Sequence, residues 1–144
     1  LAFIRSPIGV HLAGDHPSQV EVDVHPNHAS MGLRTFTFEP AKLWLEDEDM
    51  AKGNLRLKGF ADLEIEGQSA TIASIERSDQ RPIVHWLSEA QSCEATLIVA
   101  KDGEIIEHKG RMERHSYPEG TMVQLERIGY GRVLDATTIL FSHS

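Results

Sequence analysis

The chain predicts an all-β fold, a barrel or a sandwich, on three observations. Short apolar–polar alternations recur along it, turn signals separate them, and helical periodicity is nearly absent. Val20, Val22 and Val24 alternate with Glu21 and Asp23; Leu55 and Leu57 with Arg56 and Lys58; Leu63 and Ile65 with Asp62, Glu64 and Glu66. Ile72 and Ile75 lie in another apolar stretch, and Ile83-Val84-His85-Trp86-Leu87, after Pro82, predicts one buried strand. Residues 95–100 form an apolar run, and Lys101-Asp102-Gly103 predicts a tight hairpin turn into residues 104–109. Tyr117-Pro118-Glu119-Gly120 predicts a second turn, before strands over 121–128, 130–134 and 138–141. The one helical candidate is a turn at 46–52, ended by Gly53-Asn54. Irregular loops are expected at 14–18, 25–33 and 77–81.

The 144 residues suffice for one ordinary domain or two small ones sharing a core. With 40% hydrophobic and 25% charged residues the balance is globular, and no apolar run approaches the ~20 residues of a membrane span. The opening residues do not carry the pattern expected of a signal peptide. It begins on Leu1-Ala2-Phe3-Ile4 without a methionine, which suggests a piece of a longer protein. The single cysteine, Cys93, excludes an internal disulfide and fits a reducing, cytoplasmic setting. A net charge of −8 is unlike the basic footprint of a general nucleic-acid binder. Four acids, however, are concentrated at Glu46-Asp47-Glu48-Asp49, and nine of the fourteen cationic residues are arginine, the side chain suited to forked recognition of bases and phosphates.

Catalytic chemistry finds no support. There is no G-x-S-x-G elbow, no G-x-x-x-x-G-K phosphate loop and no G-x-G-x-x-G cradle. His25 and His28 are spaced HxxH near Asp23, with His11 and His16 upstream, but no cysteine pair completes a structural zinc site. They are expected to be ordinary loop histidines, so no metal site is assigned. The acids at 46–49 are expected to form a solvated helical turn and Cys93 to belong to the core.

His25-Pro26-Asn27-His28, followed by Met31-Gly32-Leu33-Arg34, fits the pattern HPxxxxxGxR. That pattern resembles the entry to the anticodon-binding region of glutamyl- and glutaminyl-tRNA synthetases of the archaeal and eukaryotic type. Further segments follow in the family's order. Lys42-Leu43-Trp44-Leu45-Glu46 resembles its strand before a short acidic helix, and Asn54-Leu55-Arg56-Leu57-Lys58 its EVRL strand. Residues 83–88 resemble its IHWVS segment, residues 123–130 its FQFERxGY segment, and the ending at 132–135 and 141–143 the terminus of its glutamyl branch. The short gap between Ile75 and Ile83 also favours that branch. The catalytic HIGH and KMSKS signatures are absent.

The resemblance implies two small β-barrels of ribosomal protein L25-like type. The proximal one would be built from residues 1–79 and 113–144, the distal one from 80–112, with a catalytic domain upstream. It implies a glutamate–tRNA ligase whose missing domain uses ATP and Mg2+, whose partner is the tRNA anticodon loop and stem, and whose setting is cytoplasmic, with no membrane role. It places Arg34 and Gln124 at positions that contact anticodon bases, and Arg77 and Arg81 beside a loop of further basic contacts. Each has a plainer reading. Arg34 could pack over Trp44 or pair with an acid, Gln124 could be an exposed strand residue, and Arg127 could pair with a carboxylate. His85 and Trp86 are expected in the core. Two other functions remain open: a stand-alone ribosomal-RNA-binding barrel of the L25 type, and a protein-interaction β-domain of a multi-enzyme complex.

Overall fold

A computed structural model of the chain describes residues 1–23, 33–76 and 81–144. Arg77, His25, His28 and most of the HPxxxxxGxR pattern lie outside these. The elements run β1 (Phe3–Arg5), β2 (Pro7–Leu12), β3 (Gln19–Asp23), β4 (Leu33–Thr37), β5 (Lys42–Glu46), α1 (Asp47–Met50), β6 (Leu55–Leu57), β7 (Ala61–Glu66) and β8 (Ser69–Ser74). They continue through β9 (Ile83–Val84), β10 (Leu87–Ser88), β11 (Ser92–Lys101), β12 (Glu104–Glu113), β13 (Met122–Leu125), β14 (Gly129–Asp135) and β15 (Thr138–His143). The expected all-β architecture is present, with one short helix among the described residues.

Seven strands form one curled sheet in the order β10-β5-β2-β8-β7-β6-β9. Its two edge strands, β9 and β10, are separated only by His85 and Trp86. Three residue steps span at most about 10 Å, so that short link draws the sheet's edges together. The sequence predicted a single strand over 83–87. Instead β9 pairs in parallel with β6 and β10 pairs antiparallel with β5, because the chain crosses from one edge to the other at this point. Trp86 turns inward at the crossing, 4.7 Å from Phe36, 5.4 Å from Phe60 and 6.0 Å from Phe38 between ring centroids. Its Nε1 donates to Lys58 O at 3.0 Å, so the buried indole leaves no unpaired donor. The separate hairpin β3–β4 covers this aromatic cluster with Val22 and Phe36.

Six strands form the second sheet, β1-β12-β11-β15-β14-β13. Its edges also meet: Leu1 N donates to Gln124 O and Glu126 N donates to Leu1 O, both at 3.0 Å. Its own core holds Phe3, Ala95, Leu97, Met112, Val123, Leu125, Val133 and Ile139. At the tip of β11–β12, Asp102 (φ 52°) and Gly103 (φ 78°) make the expected two-residue turn. β1 approaches β12 so closely that a Cβ on Gly110 would lie 2.4 Å from Ile4 O and 2.7 Å from the Phe3 ring. Cys93, expected in the core, is only half-buried on β11.

The two sheets change over at Ser6 and at residues 89–91. β11 and β12 share a ten-pair antiparallel ladder, and β11 also pairs in parallel with β15. Residues 92–113 therefore sit in the middle of the sheet that also holds 122–143, and β1 joins the same sheet from the other end of the chain.

Candidate nucleic-acid interface

The seam between the sheets is ionic, and most of the ion pairs among the described residues cross it. From the seven-stranded side, Arg34 on β4 places Nη1 2.7 Å from Glu113 Oε1 and Nη2 3.6 Å from Glu126 Oε1. Lys58 Nζ also lies 3.6 Å from Glu126. In the opposite sense, Arg127 Nη1 lies 2.7 Å from Asp49 Oδ2 and 3.6 Å from Glu46 Oε1, and Arg5 Nε lies 3.2 Å from Glu46 Oε2. His85 stands between the two systems, with Nε2 3.2 Å from Glu46 Oε2 and Nδ1 4.0 Å from Glu126 Oε2. Burial pushes the Glu46 carboxyl up, but the close approach of the His85 ring and hydrogen bonds from Arg5 outweigh it and hold the group at about 2.

The acidic run at 46–49 is thus only half as expected. Asp47 and Glu48 are solvated, whereas Glu46, at the end of β5, and Asp49, in α1, are 3% and 1% exposed and face the seam. Glu46, Asp49 and His85 have the spacing of a metal-ligand set. Arg127, Arg5 and Lys52, whose Nζ lies 2.8 Å from Asp49, already balance those carboxylates. The cluster therefore does not fit Mg2+ or another divalent cation.

Arg34 is 17% exposed, pairs with two acids and lies over the Phe36 ring at 5.6 Å. Trp44 is instead approached by Lys42 Nζ at 4.4 Å and the Arg111 guanidinium at 4.6 Å, and donates through Nε1 to Glu89. Gln124 lies on the outer face of β13, opposite Tyr130, whose ring stacks on His143 at 4.9 Å. Although 90 residues apart in sequence, Arg34 and the main chain at Gln124 both lie near Leu1. Leu1 N bonds Gln124 O and lies 3.9 Å from the Glu113 oxygen that Arg34 holds. Arg81 is held elsewhere, its Nη1 donating to Leu63 O of β7 at 2.8 Å. Arg127 pairs with carboxylates, and His85 and Trp86 are buried as expected.

Sequence reasoning missed Glu113 and Glu126 as partners of Arg34; the only signal was Glu126 lying inside the FQFERxGY-like segment. It also missed Gln91. Gln91 Oε1 accepts from Thr37 N and Ser88 Oγ, both at 2.6 Å, and so fastens the β3–β4 hairpin to the crossover.

Comparison with known proteins agrees with this architecture. Glutamate–tRNA ligase of Thermococcus onnurineus is 30% identical over 98% of this chain and 28% of its own length. That of Thermococcus kodakarensis is 29% identical over 98% and 28%, and that of Pyrococcus furiosus 28% identical over 91% and 25%. The chain therefore spans about a quarter of the length of these relatives. Residues 1–113 match the family described as the anti-codon binding domain of class I tRNA synthetases (E and Q), and the chain belongs to that family.

Proposed function

We propose that the chain is the anticodon-reading part of a glutamate–tRNA ligase. In this reading a catalytic domain of the same polypeptide uses ATP and Mg2+ to attach glutamate to tRNA in the cytoplasm. What supports it, beyond family membership, is that the Arg34 guanidinium and the main chain of the strand carrying Gln124 both lie beside Leu1, with the exposed Tyr130–His143 stack opposite Gln124. A guanidinium fork, a carboxamide and exposed rings are what an unstacked loop base needs for edge recognition and stacking. The barrel built from both ends of the chain would be the one nearer the catalytic domain. Arg34 would use the donors left over by Glu113 and Glu126, and Arg77 and Arg81 would contact backbone. The chain's own residues contribute recognition and no bond-making step.

Titrating tRNA against the intact enzyme at several salt concentrations tests this. The affinity should fall with salt, because each neutralised phosphate releases counterions. With a net charge of −8 the domain's share of that slope should be small. If deleting residues 1–144 leaves tRNA affinity unchanged, the protein-interaction reading takes its place.

A further inference from the structure

The loop between β12 and β13 passes beside Arg34 and encloses a crevice of about 260 Å3, lined by Leu1, Arg34 and residues 113–117. That is smaller than the roughly 300–1,000 Å3 of a drug-sized pocket, and suits one flat ring. The His115 and Tyr117 rings are stacked there, 5.4 Å between centroids and 24° apart. Tyr117 N donates to His115 Nδ1 at 3.2 Å. A nitrogen that accepts carries no proton, so the neutral ring bears its proton on Nε2, which has no partner among the described residues. The imidazole is therefore positioned by its own loop and serves as backing for Tyr117, which is 48% exposed. Arg114 is exposed, and its side chain has no hydrogen bond or ion pair among the described residues; only its backbone N is engaged, with Gln91 O at 2.8 Å.

We propose that this loop is a base-stacking site, in which one unstacked nucleobase of single-stranded RNA lies against the outer face of Tyr117 while Arg114 pairs with an adjoining phosphate. The site rests on the reading of the chain as an anticodon-binding domain and adds a contact to it. Every base offers a π-face, so the stack supplies affinity without identity, whereas edge contacts at Arg34 and Gln124 would supply identity. A ring pair already ordered by its loop loses little conformational freedom on binding.

The test uses the intact enzyme and a glutamate-tRNA transcript carrying a fluorescent adenine analogue at one anticodon-loop position at a time. Bound to the unsubstituted enzyme, one position should be quenched. Tyr117→Ala should relieve that quenching at the same position and weaken binding about 5- to 100-fold, while Tyr117→Phe, which keeps the ring, preserves both. Arg114→Ala should lower the salt slope by about one. Tyr117→Ala with unchanged affinity and fluorescence overturns the stacking site and leaves anticodon reading standing. So does a loss of affinity without a position-specific signal, or one that accompanies a lowered melting temperature, since either makes Tyr117 part of the scaffold. Failure of the unsubstituted enzyme to bind the transcript overturns both readings.

Discussion

At the scale of the residue, Arg34 carries two burdens. Its guanidinium is the counterion of Glu113 and Glu126 and is proposed to contact a base as well. Arg34→Ala therefore leaves a nearly buried Glu113 without its guanidinium. Breaking such a pair costs about 3–5 kcal/mol, and the residual exposure of both partners argues for the lower end. Arg34→Lys keeps the charge and loses the planar fork, so it should melt close to the native temperature. It should nevertheless cost about 1–3 kcal/mol in aminoacylation of cognate tRNA, and much less with a tRNA whose contacted base is already changed. A double-mutant cycle between Arg34→Lys and each anticodon base, with thermal melts alongside, measures this. Additive losses at every base would confine Arg34 to the seam. The resemblance drew attention to Arg34, but its acid partners lie 79 and 92 positions away, where no local pattern could reveal them.

At the scale of the element, alternation was legible where polar and apolar residues take turns facing the core, as at Val20-Glu21-Val22 or Leu55-Arg56-Leu57, although Arg56 pairs with buried Asp62 and is itself largely covered. It failed where the chain changes sheet edge. Residues 83–87 are continuously apolar or aromatic whether they form one strand or two, and only pairing partners distinguish the cases. Pro7 and Gly9 similarly hid β2, although Val10 and Leu12 point inward around an exposed His11. Gly110 is a position the structure requires and the sequence does not announce. Gly110→Ala would drive its methyl into the Ile4 carbonyl and the Phe3 ring. Loss of about 1–3 kcal/mol is expected from such overpacking, concentrated on β1. Hydrogen exchange should show faster opening at residues 3–5 than across β11. Unchanged protection there would mean that β1 is not held as described.

At the scale of the whole molecule, two apolar cores are joined through an ionic seam, and the orientation of one barrel on the other depends on it. Two barrels were legible from the resemblance, whereas sheet membership is decided by long-range pairing such as β11 with β15, which no local pattern carries. The seam should give the fold an acid-sensitive component. Glu46 is held at about 2 against an ordinary 4.5, so the unfolded chain takes up that proton first. Its contribution is complete above about 4.5 and is lost as pH falls through about 2, amounting to at most about 3 kcal/mol. Denaturant unfolding of the native chain and Glu46→Gln should show a stability gap at neutral pH that narrows between pH 4.5 and 2. A gap constant over that range would remove Glu46 from the seam's electrostatics.

The role proposed for this domain is to read an anticodon. The direct measurement is the affinity of the intact enzyme for glutamate-tRNA transcripts altered one anticodon base at a time, against transcripts altered equally in stem positions away from the loop. Losses of about 1–3 kcal/mol are expected at the bases contacted through their edges, with little change for the stem variants. Equal affinity for every anticodon variant would contradict it.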